Sequence, residues 1–420
     1  MPQTAGGTEC SGRPPAWVLL DTRARIGCCS RNATTAEART SDGDGIVVSF
    51  SVTDPPALSR CFVHCPNLTA EDFIGEPRVT GADGAVLLIR VTFAPRHGRW
   101  KFTDMFVYRA GPGEPSLHLL PRPYPLYLNC DHVGVLSRGD HYSVVVPETR
   151  FEAGGRTDYD LYVFSSETMS WSTIVAPVAV DGDTDYDLLA MHYPTKVISI
   201  GGVWLAWIDL RRGVLLCNVV DDDRLPEMPL IQLPSLLGAN KFDFAPYDGA
   251  VPPLRQIRDV TCMNGLLKFV EIEYPDLDEL NDTEFRWTAT MFTREICSES
   301  WDWCCTVDSA DLCPTDTCSH DLFPEIWDGK KLTLNKVVIS SPTLDLYNDD
   351  VFYLMAKLNP ADGTNGCVLA VNASDLTLVR VVPFSSDRFD FDPTYQQCAF
   401  SKHLSKAPDD STDARCQLPN

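Results

Sequence analysis

Apolar residues in this chain fall into short runs bounded by turn formers, and the runs come in pairs. The clearest is Gly201-Gly-Val-Trp-Leu-Ala-Trp-Ile-Asp-Leu-Arg-Arg-Gly-Val-Leu-Leu-Cys-Asn-Val-Val-Asp221. The run Val203 to Ile208 ends at Asp209-Leu-Arg-Arg-Gly213, and Val214 to Cys217 follows at once. Short, glycine-flanked runs rich in aromatic and β-branched residues predict strands. Gly213 suits the residue that closes a short hairpin loop. Neither run alternates cleanly with polar residues, so both faces of this hairpin are expected to be covered.

The same unit recurs along the chain. Ile46–Val52 turns through Asp54-Pro-Pro56 into Cys61–Cys65. Met105–Tyr108 leads to Leu117–Leu120, and Leu161–Phe164 to Trp171–Val175. Val260–Met263 and Leu266–Val270 flank Asn264-Gly265, a strong hairpin signal. Trp287–Phe292 precedes Trp301–Val307, and Cys367–Val371 precedes Leu376–Val382. Further strands are expected at 85–93, 141–146, 196–200, 336–339 and 351–358. Repeats at roughly 40–60 residues are near the period of propeller blades. Radial packing of such sheets buries both faces of the inner strands, which fits the continuous apolar runs. The expected fold is all-β: a divergent β-propeller-like array of antiparallel hairpins with about six to seven blades. Tandem β-sandwiches, or an N-terminal β-domain plus a smaller propeller, are the alternatives. The expected segments are a disordered 1–14, an N-terminal β-segment over 15–125, a propeller-like region over 126–404 and a disordered tail over 405–420.

The chain has 420 residues, 44% hydrophobic, which is ample for a sizeable core. Its net charge of −23 argues against nucleic acid and anionic membrane as partners, because phosphate contacts need Lys/Arg clusters. The N-terminus shows no basic start followed by an apolar block, and no window is long and apolar enough to span a bilayer. The expectation is an intracellular protein, cytoplasmic or nuclear, whose 16 cysteines are thiols.

Several segments together resemble the plant family called domain of unknown function 1618, which is expanded in grasses. Trp17-Val-Leu-Leu-Asp21, Ala33–Arg39 and Cys61-Phe-Val-His-Cys-Pro66 resemble its N-terminal part. Trp204-Leu-Ala-Trp-Ile-Asp-Leu-Arg-Arg-Gly-Val-Leu-Leu-Cys217, followed by Ile231-Gln-Leu-Pro234, resembles its central signature, in which Trp204, Trp207, Asp209, Arg212, Gly213 and Cys217 stand out. Leu344–Tyr353 and Phe400-Ser-Lys-His-Leu404 resemble its C-terminal part. The resemblance implies no activity, since the family has none established. It implies likeness to the β-propeller-like domains that accompany F-box proteins, here without an F-box.

No catalytic set emerges. There is no Gly-x-Ser-x-Gly elbow, P-loop or His-Glu-x-x-His. Asp181, Asp183, Asp185 and Asp187 alternate as Ca²⁺ ligands do, but Tyr186 and His192 stand where an EF-hand loop needs Gly and Glu. A solvated acidic loop is the better reading. Cys305, Cys313, Cys318 and His320 have donors that zinc takes, at spacings that match no usual site. Cys304 and Cys305 are expected on opposite faces of a strand, and Cys61 and Cys65 on one face. The tryptophans 204, 207, 287, 301 and 303 read as blade-packing core, and Arg211-Arg212 as a solvated turn. The expected function is a non-enzymatic scaffold, with no cofactor, whose loops bind a protein or peptide partner; a monomer is expected. The alternatives are a hydrolase with acidic residues in a central funnel, and a metal-stabilised structural protein.

Overall fold

The computed structural model describes residues 14–27, 31–95, 101–122, 133–151, 157–179, 192–219, 227–243, 254–274, 286–319, 326–327, 334, 337–357, 365–385 and 395–404. The segments 1–13 and 405–420 lie outside the described residues, so the expected disordered ends do too.

Among the described residues the chain is all-β apart from short helical turns. Five antiparallel meanders follow one another. They are β5 to β8 (Arg78–Asp83, Val86–Phe93, Phe102–Arg109, Ser116–Leu119), β9 to β12 (Gly134–Arg138, His141–Phe151, Thr157–Ser165, Ser170–Ala179) and β13 to β16 (Lys196–Ile200, Trp204–Asp209, Gly213–Asn218, Met228–Gln232). Then come β17 to β20 (Arg258–Met263, Leu266–Glu273, Thr288–Glu295, Asp302–Asp308) and β22 to β25 (Val338–Leu344, Val351–Lys357, Asn365–Asn372, Thr377–Ser385), with β21 (Cys313–Pro314) added to the outer edge of the last. The remaining unit joins the two ends of the chain and is blade one, the five meanders being blades two to six in chain order. Its strands β1 (Val18–Ile26), β2 (Ala36–Arg39), β3 (Gly45–Ser51) and β4 (Leu58–His64) are completed by β26 (Tyr395–Cys398), which pairs antiparallel with β1. That unit is also irregular, because β1 and β4 run parallel.

Six hydrophobic clusters show how these sheets sit. Each cluster joins two successive units: blades one and two through Phe50 and Tyr108, two and three through Val107 and Phe164, and three and four through Leu161 and Trp207. Blades four and five meet through Ile208 and Phe269, five and six through Trp287 and Phe352, and six and one through Tyr353 and Trp17. The last contact closes the circuit. Six blades face to face around an axis are a propeller-like ring, within the expected blade number.

The central hairpin explains its own apolar run. Leu205, Trp207, Leu215 and Cys217 enter the cluster shared with blade three, whereas Ala206, Ile208, Val214 and Leu216 enter the cluster shared with blade five. The period-two alternation is intact, but both faces are core. The Asn264-Gly265 hairpin forms as its sequence predicts, both residues at positive φ (52° and 81°). Among the described residues no helix is long and apolar enough to cross a membrane.

One local expectation is overturned. Trp303 is not core: it is 64% exposed on the outer strand β20. Strand β20 also carries a bulge at Cys304, since Met291 pairs with Cys305 and Phe292 with Trp303, so strict alternation does not hold through this pair of cysteines.

Candidate functional site: the central channel

The inner strands β5, β9, β13, β17, β22 and β26 bring their side chains to the axis of the ring. Where β13 and β17 begin, Lys196, Arg255, Arg258, Asp259, Thr343 and Tyr395 line a cavity of about 20 Å³. Where the inner strands end, Asp83, Ser199, Thr261, Cys262, Gln396 and Cys398 line one of about 100 Å³. A water needs about 10–15 Å³ on this measure, and a drug-sized ligand site about 300 Å³ or more. These spaces are therefore water-sized and small-molecule-fragment-sized.

The polar groups of the channel are bound to one another, blade to blade. Asp259 accepts from Lys196 Nζ at 2.8 Å, from the Leu344 amide at 3.0 Å and from Gln397 Nε2 at 3.2 Å. One carboxylate thus joins blades four, five, six and one. Lys196 also donates to the Val260 carbonyl at 2.9 Å, and Gln397 to the Leu344 carbonyl at 2.9 Å. Burial pulls the Lys196 ammonium below its ordinary range, and the Asp259 charge opposes that pull.

Asp83 does the same at the other end. It accepts from Ser199 Oγ at 2.5 Å and from the Ser137 amide at 2.7 Å, so it ties blades two, three and four. Burial raises its pKa, and the hydrogen bonds from Ser199, Ser137 and Gly84 counter the rise. Beside the channel, Arg258 donates to Glu271 Oε2 through Nε (2.9 Å) and Nη2 (2.5 Å), and to the Leu210 and Pro234 carbonyls at 2.9 and 3.1 Å. Each of the two cavities carries one carboxylate among the described residues, so the paired acids of a hydrolytic centre do not meet in either.

The residues singled out in the central hairpin build a rigid turn. Asp209 is buried. Its carboxylate accepts from the amides of Arg211 (2.8 Å), Arg212 (3.2 Å) and Tyr193 (3.0 Å), and pairs with the Arg212 guanidinium at 3.3 Å. Arg211-Arg212 is thus a carboxylate-braced turn, with both arginines half-buried. Trp207 and Cys217 are fully buried, and burial alone pushes the Cys217 thiol up to about 12. Trp204 is half-buried against the cluster shared with blade five.

At Gly213 a Cβ would stand 2.5 Å from the Ile231 carbonyl oxygen, so strand β16 leaves room for glycine only. Gly213→Ala is expected to destabilise the protein by about 1–3 kcal/mol, from overpacking against backbone that cannot step aside. A shift of the urea midpoint at unchanged slope is the measurement.

His192 is buried against this turn, its Nε2 3.2 Å from the Gly213 carbonyl. Burial lowers its pKa, opposed by Asp209 and assisted by Arg212. The neutral ring is the folded form, so below about pH 6.5 the unfolded chain binds the extra proton. Its contribution is complete above about pH 6.5 and lost as pH falls toward the depressed folded pKa, by at most about 1.4 kcal/mol per pH unit. In urea titrations from pH 7.5 down to 5.5, His192→Gln is expected to show a shallower loss of stability than the parent.

The candidate metal ligands are not brought together. Asp181, Asp183, Asp185, Asp187 and His320 lie outside the described residues. Cys318 is buried between blades five and six, Cys305 packs at the margin of that cluster, and Cys313 is exposed. Among the described residues no three His, Cys, Asp or Glu side chains are placed to share a metal ion.

The central hairpin, its Asp209 turn and the strands that follow it are the stretch a family comparison recognises. Residues 207–353 match the family described as Protein of unknown function (DUF1618). The DUF1618 match begins at Trp207 and ends at Tyr353, so it covers the central signature from Trp207 onward, leaving Trp204 outside, and the first of the two C-terminal segments. No curated protein matches the chain. Among solved structures, the chain is similar to a levansucrase mutant from B. megaterium at 8% identity and TM-score 0.28, covering 88% of this chain and 94% of that one. It is similar to the WD40 domain of SCAP from fission yeast at 10% identity and TM-score 0.28, covering 84% and 77%. A GH32 beta-fructofuranosidase from Bombyx mori has 10% identity and TM-score 0.26, covering 90% of each chain. At such similarity no activity or ligand carries over to this chain.

Sequence reasoning missed Asp83, Lys196, Asp259 and Gln397. Their partners are far away in the chain: 63 residues separate Lys196 from Asp259, 116 separate Asp83 from Ser199, and 138 separate Gln397 from Asp259. The available signal was a charge at the edge of an apolar run, as in Lys196-Val-Ile-Ser-Ile200 and Asp259-Val-Thr-Cys262.

Proposed function

We infer that this chain is a non-enzymatic interaction module, a ring that offers its rim to a protein or peptide partner. One observation carries the reading: the charged groups of the channel are spent on holding blades together, Asp259 with three donors from three other blades. A catalytic carboxylate needs to meet substrate, and these meet backbone and neighbouring side chains. Recognition then falls to the rim, where loops on a rigid scaffold supply contacts. Tyr193, 68% exposed before β13, and Tyr347, 53% exposed after β22, stand at opposite ends of the inner strands. Exposed tyrosines are frequent anchors of interfaces. The eleven described cysteines are free thiols, which supports a reducing, intracellular location.

The test is affinity capture from native cell extract with the parent, Tyr193→Ala and Tyr347→Ala. A partner whose Kd rises about thirtyfold or more for one folded variant supports the module. Turnover of a chromogenic ester, phosphate or glycoside that disappears in folded Asp83→Asn or Asp259→Asn would overturn it.

A further inference from the structure

Blade five ends in an edge strand with an irregularity that the pairing register locates. Met291 pairs with Cys305 and Phe292 with Trp303, so Cys304 is the extra residue of a β-bulge. In an unbroken strand Trp303 and Thr306 would lie on opposite faces. Here the Trp303 indole N–H donates to Thr306 Oγ1 at 3.3 Å, so the two share a face. Cys305 lies on the other face, packed against the cluster between blades five and six. Cys304 is the bulge residue between these two faces, so strict alternation no longer sends its thiol away from Cys305.

The two thiols are close enough to act on one another. Burial first, and then the neighbouring Cys304 thiol by charge and by hydrogen bond, push the Cys305 thiol up to about 11, with a smaller contribution from Asp350. Both are free, Cys304 exposed and Cys305 half-buried. Among the described residues no further strand pairs with the outer side of β20, so the pair stands at the margin of the sheet.

We propose that Cys304 and Cys305 form a chelating vicinal-dithiol site for trivalent arsenic, as arsenite or a monosubstituted arsenical. A backbone bulge that frees two adjacent thiols from strict alternation, one of them exposed, lets both serve as ligands to one soft, low-coordinate centre. With an organoarsenic oxide the As=O bond and two S–H bonds break, two As–S bonds form, and the oxygen leaves as one water with both thiol protons. Arsenic stays trivalent, and no oxidant or reductant is consumed.

The probe is phenylarsine oxide on the full chain, followed by intact-mass spectrometry after a 2-mercaptoethanol wash. The chain also holds the adjacent pair Cys28-Cys29, so the work is done in a Cys28→Ser background. One phenylarsine unit is expected to remain through the wash and to be removed by 2,3-dimercaptopropanol. Cys304→Ser and Cys305→Ser, each checked for folding by circular dichroism, are expected to weaken binding by about a hundredfold through loss of the second, effectively intramolecular ligand. Cys297→Ser and Cys313→Ser, which remove exposed single thiols, are expected to bind as the parent does. Tight binding that survives Cys304→Ser, or a folded parent that retains no arsenical, would overturn the proposal.

Discussion

Replacing Arg258 with Ala is expected to cost about 3–5 kcal/mol of stability, the range for breaking a fully buried ion pair from one side. The side chains of Arg258 and Glu271 are 1% and 0% exposed. Removal of the guanidinium leaves the Glu271 charge in the interior, still accepting from the Leu237 amide at 2.9 Å and Asn240 Nδ2 at 2.7 Å but without its counter-ion. It also deprives the Leu210 and Pro234 carbonyls of a donor, and those belong to blade four and its exit loop. Phe269 loses a cation 5.1 Å above its ring. The double variant Arg258→Met/Glu271→Met separates charge from architecture. If the charge pair were the whole effect, two apolar residues would restore stability. Because both partners also satisfy backbone groups, each left unmade at about 1–3 kcal/mol, only partial recovery is expected. Urea unfolding of the three proteins decides it, and a single variant within about 0.5 kcal/mol of the parent would remove Arg258 from the groups that tie blade four to blade five.

That pair also shows why the blades were legible in the sequence and the channel was not. A blade is local: Val260 and Leu267 are close in the chain, their turn is Asn264-Gly265, and alternation tells which side chains face together. So the paired runs 105–120, 161–175, 203–218, 260–270 and 367–382 became hairpins. Continuous apolar runs pointed to burial on both faces, which Trp207 on one side and Ile208 on the other realise. The channel is assembled from positions that no local rule connects. Nothing around Asp259 announces Lys196 or Gln397, and each reads alone as a solvated polar residue at a strand end. The bulge at Cys304 was hidden for a related reason. It appears only as a mismatch in register between β19 and β20, and the polar run Ser298-Glu-Ser-Trp-Asp302 gives no glycine to mark it. Strand β26, Tyr395-Gln-Gln-Cys398, was missed because it is short and polar. It has neighbours in the ring that satisfy its polar groups, and that context lies at the opposite end of the chain.

The most severe effect is expected from that same strand. A chain ending at Thr394 would lack β26 and Phe400, and with them the seam between the N- and C-terminal parts of blade one. β26 holds four residues of β1 in register, Val18 to Asp21, and carries Gln397 into the Asp259 network. Phe400 is fully buried, its ring 4.9 Å from that of Phe50 in blade one and 6.3 Å from that of Tyr108 in blade two. The segment that follows lies so close to blade two that a Cβ at Gly111 would stand 2.5 Å from the His403 carbonyl oxygen. Phe400→Ala alone is expected to cost about 3–5 kcal/mol, a transfer loss plus a cavity that the two surrounding blades cannot collapse to fill. Deletion adds the lost ladder, the Asp259 contact and an exposed inner strand β1. The sum is comparable to the whole stability of a folded domain, about 5–15 kcal/mol. The point variant is therefore expected to fold with a lowered urea midpoint, and the truncated chain to lose its cooperative transition and bind a hydrophobic dye. A truncated chain that unfolds cooperatively at the parent's midpoint would mean that the ring does not depend on β26 for closure. It would shift that burden to the packing of Trp17 and Leu19 against Tyr353 and Val368 across the same seam.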